Sequence, residues 1–179
     1  REIWDGKILN KDEGYLLKMN NRYSPIPSFL SIDVNSKFKL NNVEFSRIFD
    51  SYKGNLNIAR KGKYYEWKAN NFTLNELEFS FKDNAFDRIN GIINGSGLIS
   101  PDESYLDGIF SLTFGEYRNI KLSNSLFDFV QKGKRLNINS SLYPIDGGVI
   151  DITYKSNSND LIKVAFENIS ADWTGFTIF

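Results

Sequence analysis

The chain has 179 residues, 22 basic and 22 acidic side chains, a formal net charge of zero, and neither cysteine nor histidine. Balanced charge argues against a general nucleic-acid binder, which needs a basic excess. Without Cys or His the chain has no disulfide, thiolate nucleophile or Ser-His-Asp or Cys-His hydrolase chemistry of its own, and most structural zinc sites are excluded as well.

Such a length fits one domain or a segment of a larger protein. Aromatic residues make up 15% of the chain, which suits sheets better than helices. No run of eighteen apolar residues crosses the sequence, and no signal peptide is visible. The first residue is Arg1 rather than Met, which reads as a mature form or an excised piece.

In chain order, residues 1–27 hold short β-like pieces, Lys7-Ile8-Leu9 and Tyr15-Leu16-Leu17-Lys18-Met19. Asp5-Gly6 and Glu13-Gly14 are turn signals, and Pro25 and Pro27 mark a loop. Over 28–40, Leu30, Ile32, Val34, Phe38 and Leu40 alternate with polar residues, the pattern of a strand with one dry face. Over 42–54 the pattern changes. Phe45, Ile48, Phe49 and Tyr52 fall at i, i+3, i+4 and i+7, with Asn42 as N-cap and Gly54 as stop. This spacing predicts one short helix, capping an end of the sheet.

From Asn55 onward every segment reads as strand. Leu56 and Ile58 lead into the turn Arg60-Lys61-Gly62-Lys63, and Tyr65 and Trp67 follow. Phe72, Leu74, Leu77, Phe79 and Phe81 come next. Residues 89–114 form the centre of the pattern. Leu106, Phe110, Leu112 and Phe114 share one face with Gly108 in the gap, and Ser100 to Ser104 make a turn around Pro101. Gly91, Gly95 and Gly97 predict bulges or bends before that turn. Phe127 and Phe129 then run into Gln131-Lys132-Gly133-Lys134, a hairpin tip resembling that at 59–64. Ile138, then Ile150, Ile152 and Tyr154, then Ile162, Val164 and Phe166 continue the alternation.

Candidate chemistries are few. Asn94-Gly95-Ser96-Gly97 is glycine-rich, but a phosphate loop needs a helix N-terminus next, and Leu98-Ile99-Ser100-Pro101 follows instead. Asp102, Glu103 and Asp107 surround one turn; glycoside chemistry needs a second carboxylate opposite them, and none can be placed. Asp83-Asn84 with Asp87 lacks calcium-loop spacing. Lys61, Lys63, Lys132 and Lys134 are basic tips that could meet anionic headgroups, although charged turns more often keep a sheet soluble. No metal, cofactor or catalytic residue is expected. The sequons at Asn71, Asn94, Asn139 and Asn168 are what an Asn-rich chain contains by chance.

What remains is the apolar stripe. A sheet with one dry face must bury it against a helix, another sheet or a ligand. Periodicity alone leaves a sandwich, a closed barrel and an open trough all standing.

The second half of the chain resembles the TamB/AsmA-like envelope proteins, in their cyanobacterial and plastid branch. The resemblance rests on Gly91 to Phe114, Tyr117 to Leu122, Gln131 to Leu136, Pro144-Ile145-Asp146-Gly147-Gly148 and Ala171-Asp172-Trp173-Thr174. Gly-x-Gly-x-Leu-Ser-like pieces and Leu-x-Gly-x-Phe-x-Leu-like strands carry it; residues 1–60 carry none of it. The resemblance implies an all-β, strongly curved antiparallel sheet, an open β-taco-like trough. Residues 1–179 would be one trough segment of a larger protein, anchored in the inner membrane through a segment outside this chain. It implies no enzyme, but carriage of phospholipid or another apolar chain, or shielding of outer-membrane protein strands, across the periplasm. An outer-membrane β-barrel protein is an expected partner and nucleic acid is not.

The expected groove lining is Leu30, Ile32, Val34, Phe79, Phe81, Leu98, Phe110, Leu112, Ile138, Ile150, Ile152, Val164 and Phe166. The alternative is a lipocalin-like barrel holding one small apolar ligand. A third reading is a sugar-binding or sugar-active sandwich.

Overall fold

A computed structural model describes residues 3–21, 24–80, 86–102, 104–117, 120–156 and 161–169. The strands of the first half are Asp5–Lys11 (β1), Gly14–Asn21 (β2), Ser28–Asn35 (β3), Leu40–Phe49 (β4), Tyr52–Lys61 (β5), Tyr64–Thr73 (β6) and Glu78–Ser80 (β7). Those of the second half are Phe86–Ile99 (β8), Tyr105–Tyr117 (β9), Ile120–Lys132 (β10), Arg135–Leu142 (β11), Val149–Lys155 (β12) and Leu161–Glu167 (β13). They form one antiparallel meander in chain order, with the short β7 set aside on β8. β1 and β13 each pair on one side, so the sheet is open and the closed-barrel architecture falls away.

The helix expected over 42–54 is absent. Those residues form the end of β4, a two-residue turn and the start of β5. Asp50 and Ser51 both adopt positive φ, 47° and 67°, the backbone of a tight turn matched to strand twist. No glycine marks it, and the accidental helical spacing of Phe45, Ile48, Phe49 and Tyr52 comes from two paired strands. The Gly62 and Gly133 tips, by contrast, share positive φ values of 62° and 57° as their sequences suggest. Phe38 is also not a strand residue: it sits in the β3–β4 turn at φ 55°.

Paired residues across strands point to the same face. One row reads Gly6, Met19, Leu30, Phe45, Leu56, Ala69, Gly95, Phe110, Phe127, Ser140, Ile152 and Val164. The next reads Ile8, Leu17, Ile32, Val43, Ile58, Trp67, Gly97, Gly108, Phe129, Ile138, Tyr154 and Ile162. Between them, on the other face, run Lys7, Lys18, Ser31, Glu44, Asn57, Lys68, Ser96, Ile109, Asp128, Asn139, Thr153 and Lys163. The first two rows are apolar from edge to edge, whereas the other face is mixed, with Leu9, Leu16, Leu98, Ile109, Leu126 and Val130 set among charged and amide side chains.

Rings bridge strands that are not neighbours. Phe45 of β4 meets Phe72 of β6 at 5.3 Å between centroids, and Trp4, ahead of β1, meets Phe45 at 6.4 Å. Alternate strands of a flat sheet lie about 9.6 Å apart, so these contacts draw the sheet toward its apolar side. Register shifts at Asp33/Val34, Ala69/Phe72 and Asn90/Ile92 add bend and twist.

Candidate functional site

The apolar face is floored by rings. Gly97 of β8 and Gly108 of β9 are paired and leave a gap in the second row. Trp67 of β6 fills it: a Cβ on either glycine would collide with the indole. Its Nε1 donates to the Asp107 carbonyl at 3.0 Å, and its ring stacks on Phe129 of β10 at 6.3 Å. Phe110 and Phe127 stack beside it at 4.6 Å and 7°. Large aromatics are thus laid along the sheet rather than buried under another layer.

Most of this face remains partly solvated. Leu30, Ile32, Val34, Phe45, Leu56, Ile58, Phe110, Phe129, Ile138 and Ile152 are all half-buried. Toward the edges exposure rises, to 70% for Ile8 and 64% for Ile162. Among the large apolar side chains described on this face, full burial is confined to a third row and its surroundings. Phe72, Ile93, Leu112 and Ser125 lie across four strands there, with Ile150 further along, and Phe72, Leu112, Ser125 and Ile150 are buried. Leu112 packs down between Gly91, at φ 134°, and Gly115, where a Cβ would strike its methyls.

Of the expected groove residues, Leu30, Ile32, Val34, Phe110, Ile138, Ile152 and Val164 share the apolar face. Leu112 and Ile150 lie on it too, but as buried packing, while Phe166 pairs with Ile150 and is exposed. Leu98 is a correction: it pairs with Glu66 and Asp107 on the polar face. Its strand places Gly95 and Gly97 inward, so its apolar side chain is the outward one. Phe79 belongs to β7, apart from the main path, and Phe81 lies outside the described residues. The Asp83-Asn84 pair of the calcium reading also lies outside them. The residues that sequence reasoning missed are Trp67, Phe45, Leu56, Phe127 and Phe129; the paired glycines at 97 and 108 were the usable clue to Trp67.

The carboxylates flanking residues 100–107 are held by local bonds. Asp102 is pulled down to about 2 by the Ser100 hydroxyl, then by the Ser104 hydroxyl and amide. Asp107, within β9 rather than a turn, accepts from the Leu98 amide and the Tyr105 hydroxyl, each at 2.7 Å. The hydrogen bond to Asp107 pushes the Tyr105 hydroxyl up. Asn94 to Gly97 lie within β8, so no phosphate loop forms there.

Successive strands reverse direction, so the turns fall alternately on two rims. On the rim of short turns stand Lys37 and Lys39 between β3 and β4, Arg60, Lys61 and Lys63 between β5 and β6, and Lys132, Lys134 and Arg135 between β10 and β11. Lys11 and Lys155 end neighbouring strands; the described acids there are Asp12, Glu13 and Asp102, with Asp33, Glu66 and Asp107 two residues in from their strand ends. The opposite rim carries the longer connections at 22–27, 74–77 and 143–148. Its described charges are Asp5, Asp50, Glu76, Glu78, Asp87, Glu116, Asp146 and Glu167 against Lys53, Arg88, Lys121 and the buried Arg47. Arg22, Lys82, Asp83, Glu103, Arg118 and Asp160 lie outside the described residues.

Comparison with family models, with curated proteins and with solved structures returned no match.

Proposed function

We propose that the apolar face binds acyl chains of phospholipid, as one segment of an envelope bridge of the TamB/AsmA-like kind. On this reading the protein is no enzyme. Its trough carries lipid between membranes through the periplasm, or shields apolar strands of an outer-membrane β-barrel protein, and a segment outside this chain anchors it. The supporting observation is the pair of apolar rows crossing every strand of the main path without an inward charge. At about 4.8 Å per strand the face runs roughly 50 Å along the sheet. An acyl chain spans about half of a ~30 Å bilayer core, so the face is about three chains long. Each methylene withdrawn from water contributes about 0.8 kcal/mol, which lets such a face compete with a bilayer.

Native mass spectrometry of protein purified without detergent tests this. Bound phospholipid of mixed headgroup is expected. A lipid-free protein that also fails to take up labelled phospholipid from vesicles would contradict the reading.

A further inference from the structure

Net charge conceals a segregation that the topology creates. Cations gather on the rim of short turns, while the described residues of the opposite rim carry mixed charge with a modest excess of carboxylates, although the whole chain sums to zero. Among the described residues, only Lys11 and Lys61 of the basic rim have a carboxylate within ion-pair distance, Asp33 and Glu66, both at 2.6 Å. At the same rim an apolar ring is held out to solvent. Phe38 is 74% exposed at φ 55°, between Lys37 and Lys39. The tip is a built turn: the Asn35 side-chain oxygen accepts from the amides of Lys37 and Lys39 at 2.9 and 3.0 Å, and the Asn35 carbonyl accepts from the Phe38 amide at 2.9 Å. Tyr15 stacks on Phe38 at 5.4 Å and 9°. Neighbouring tips are tied together as well, the Gly133 amide donating to the Ser104 carbonyl at 2.6 Å.

We infer that this rim docks on the surface of an anionic phospholipid bilayer, with Phe38 entering the headgroup region and the lysine and arginine tips meeting the phosphates. An exposed aromatic among cations is the composition of a membrane interface. A flat anionic surface touches one rim alone. The carboxylates of the opposite rim then lie a strand away: the 8 residues of β3 span about 27 Å, well beyond a Debye length of about 8 Å at physiological salt. A nucleic acid, the competing polyanion, is disfavoured by the zero net charge. The inference stands apart from what the apolar face carries.

Sedimentation with phosphatidylcholine vesicles, with and without phosphatidylserine, tests it. Binding is expected only to the anionic vesicles and should weaken as salt rises. Replacing Lys132, Lys134 and Arg135 together by Ala should weaken it about 100-fold, from about 1 kcal/mol for each cation. Phe38→Ser should weaken it about tenfold and reduce its residual salt-resistant part. Lys53→Ala with Lys121→Ala, on the other rim, should leave binding unchanged, and all variants should melt like the parent. Equal loss in the two rims' variants, no preference for anionic vesicles, or tighter binding to a single-stranded oligonucleotide than to vesicles would each overturn the inference.

Discussion

Two zones of one apolar face behave differently. In the zone near the longer connections, Phe72, Leu112 and Ile150 retain only 2%, 6% and 2% of their surface. A few residues along the same strands, Ile32, Phe110 and Ile138 are only partly buried. The side chains are of the same kind; the backbone around them is not. Near the connections the Ala69/Phe72 and Asn90/Ile92 shifts bend the strands. Connecting segments also fold back there, with the Ile48 amide bonded to the Pro27 carbonyl, Leu74 to Gly91 and Ser123 to Tyr143. The buried Arg47 joins that zone by donating to the Thr73 carbonyl at 2.7 Å. Facing inward is thus not enough to make a residue a binding residue. One zone holds the sheet together and the other is left open, and it is the open one that the proposed function assigns to binding.

Charge insertion should break that contrast most sharply. Leu112→Asp places an unpaired carboxylate in the buried zone, at a cost of several kcal/mol against a total stability of roughly 5–15, and the protein should not fold. Leu112→Ala should lose about 2–5 kcal/mol in urea denaturation. Ile32→Asp, in the open zone, should keep a cooperative melt within about 2 kcal/mol of the parent while vesicle-derived lipid uptake falls. A parent-like melt for Leu112→Asp would erase the distinction.

Between the zones lies the Trp67 floor. Gly108→Ala drives a methyl into the indole and should cost about 1–3 kcal/mol. In a Trp67→Ala background the same change should cost much less, a non-additivity that a double-mutant cycle would read directly. Additive costs would mean that the indole does not fill the glycine gap.

The smallest effect belongs to the turn at Asp102. Its carboxyl, depressed to about 2, adds stability above the ordinary carboxylate range, and that contribution disappears as pH falls through about 2. Carboxyl titration by NMR should give that midpoint, and Ser104→Ala should move it upward. A midpoint near 4 in the parent would remove the serines from the account.

The all-strand architecture and the apolar stripe were legible because alternation survives wherever inward positions carry side chains. It failed where they did not. In β8 the inward positions are Gly95 and Gly97, so Leu98 looked like the groove residue although it points the other way. The turn at Asp50-Ser51 lacked glycine, proline or asparagine, and two strands therefore read as one helix. Buried and open zones could not be told apart at all, since that difference arises from bulges and from connections distant in sequence. The gathering of cations on one rim was also hidden, because it depends on turn order and not on composition.

Site-specific photocrosslinking tests the central claim most directly. A photoreactive residue would replace Ile138 in the open zone, Leu112 in the buried zone or Thr153 on the polar face, and the protein would be mixed with vesicles of radiolabelled phospholipid. The account predicts acyl-chain adducts at position 138 and none at 112 or 153 in folded protein. Equal labelling at 138 and 153, or none at 138, would contradict it.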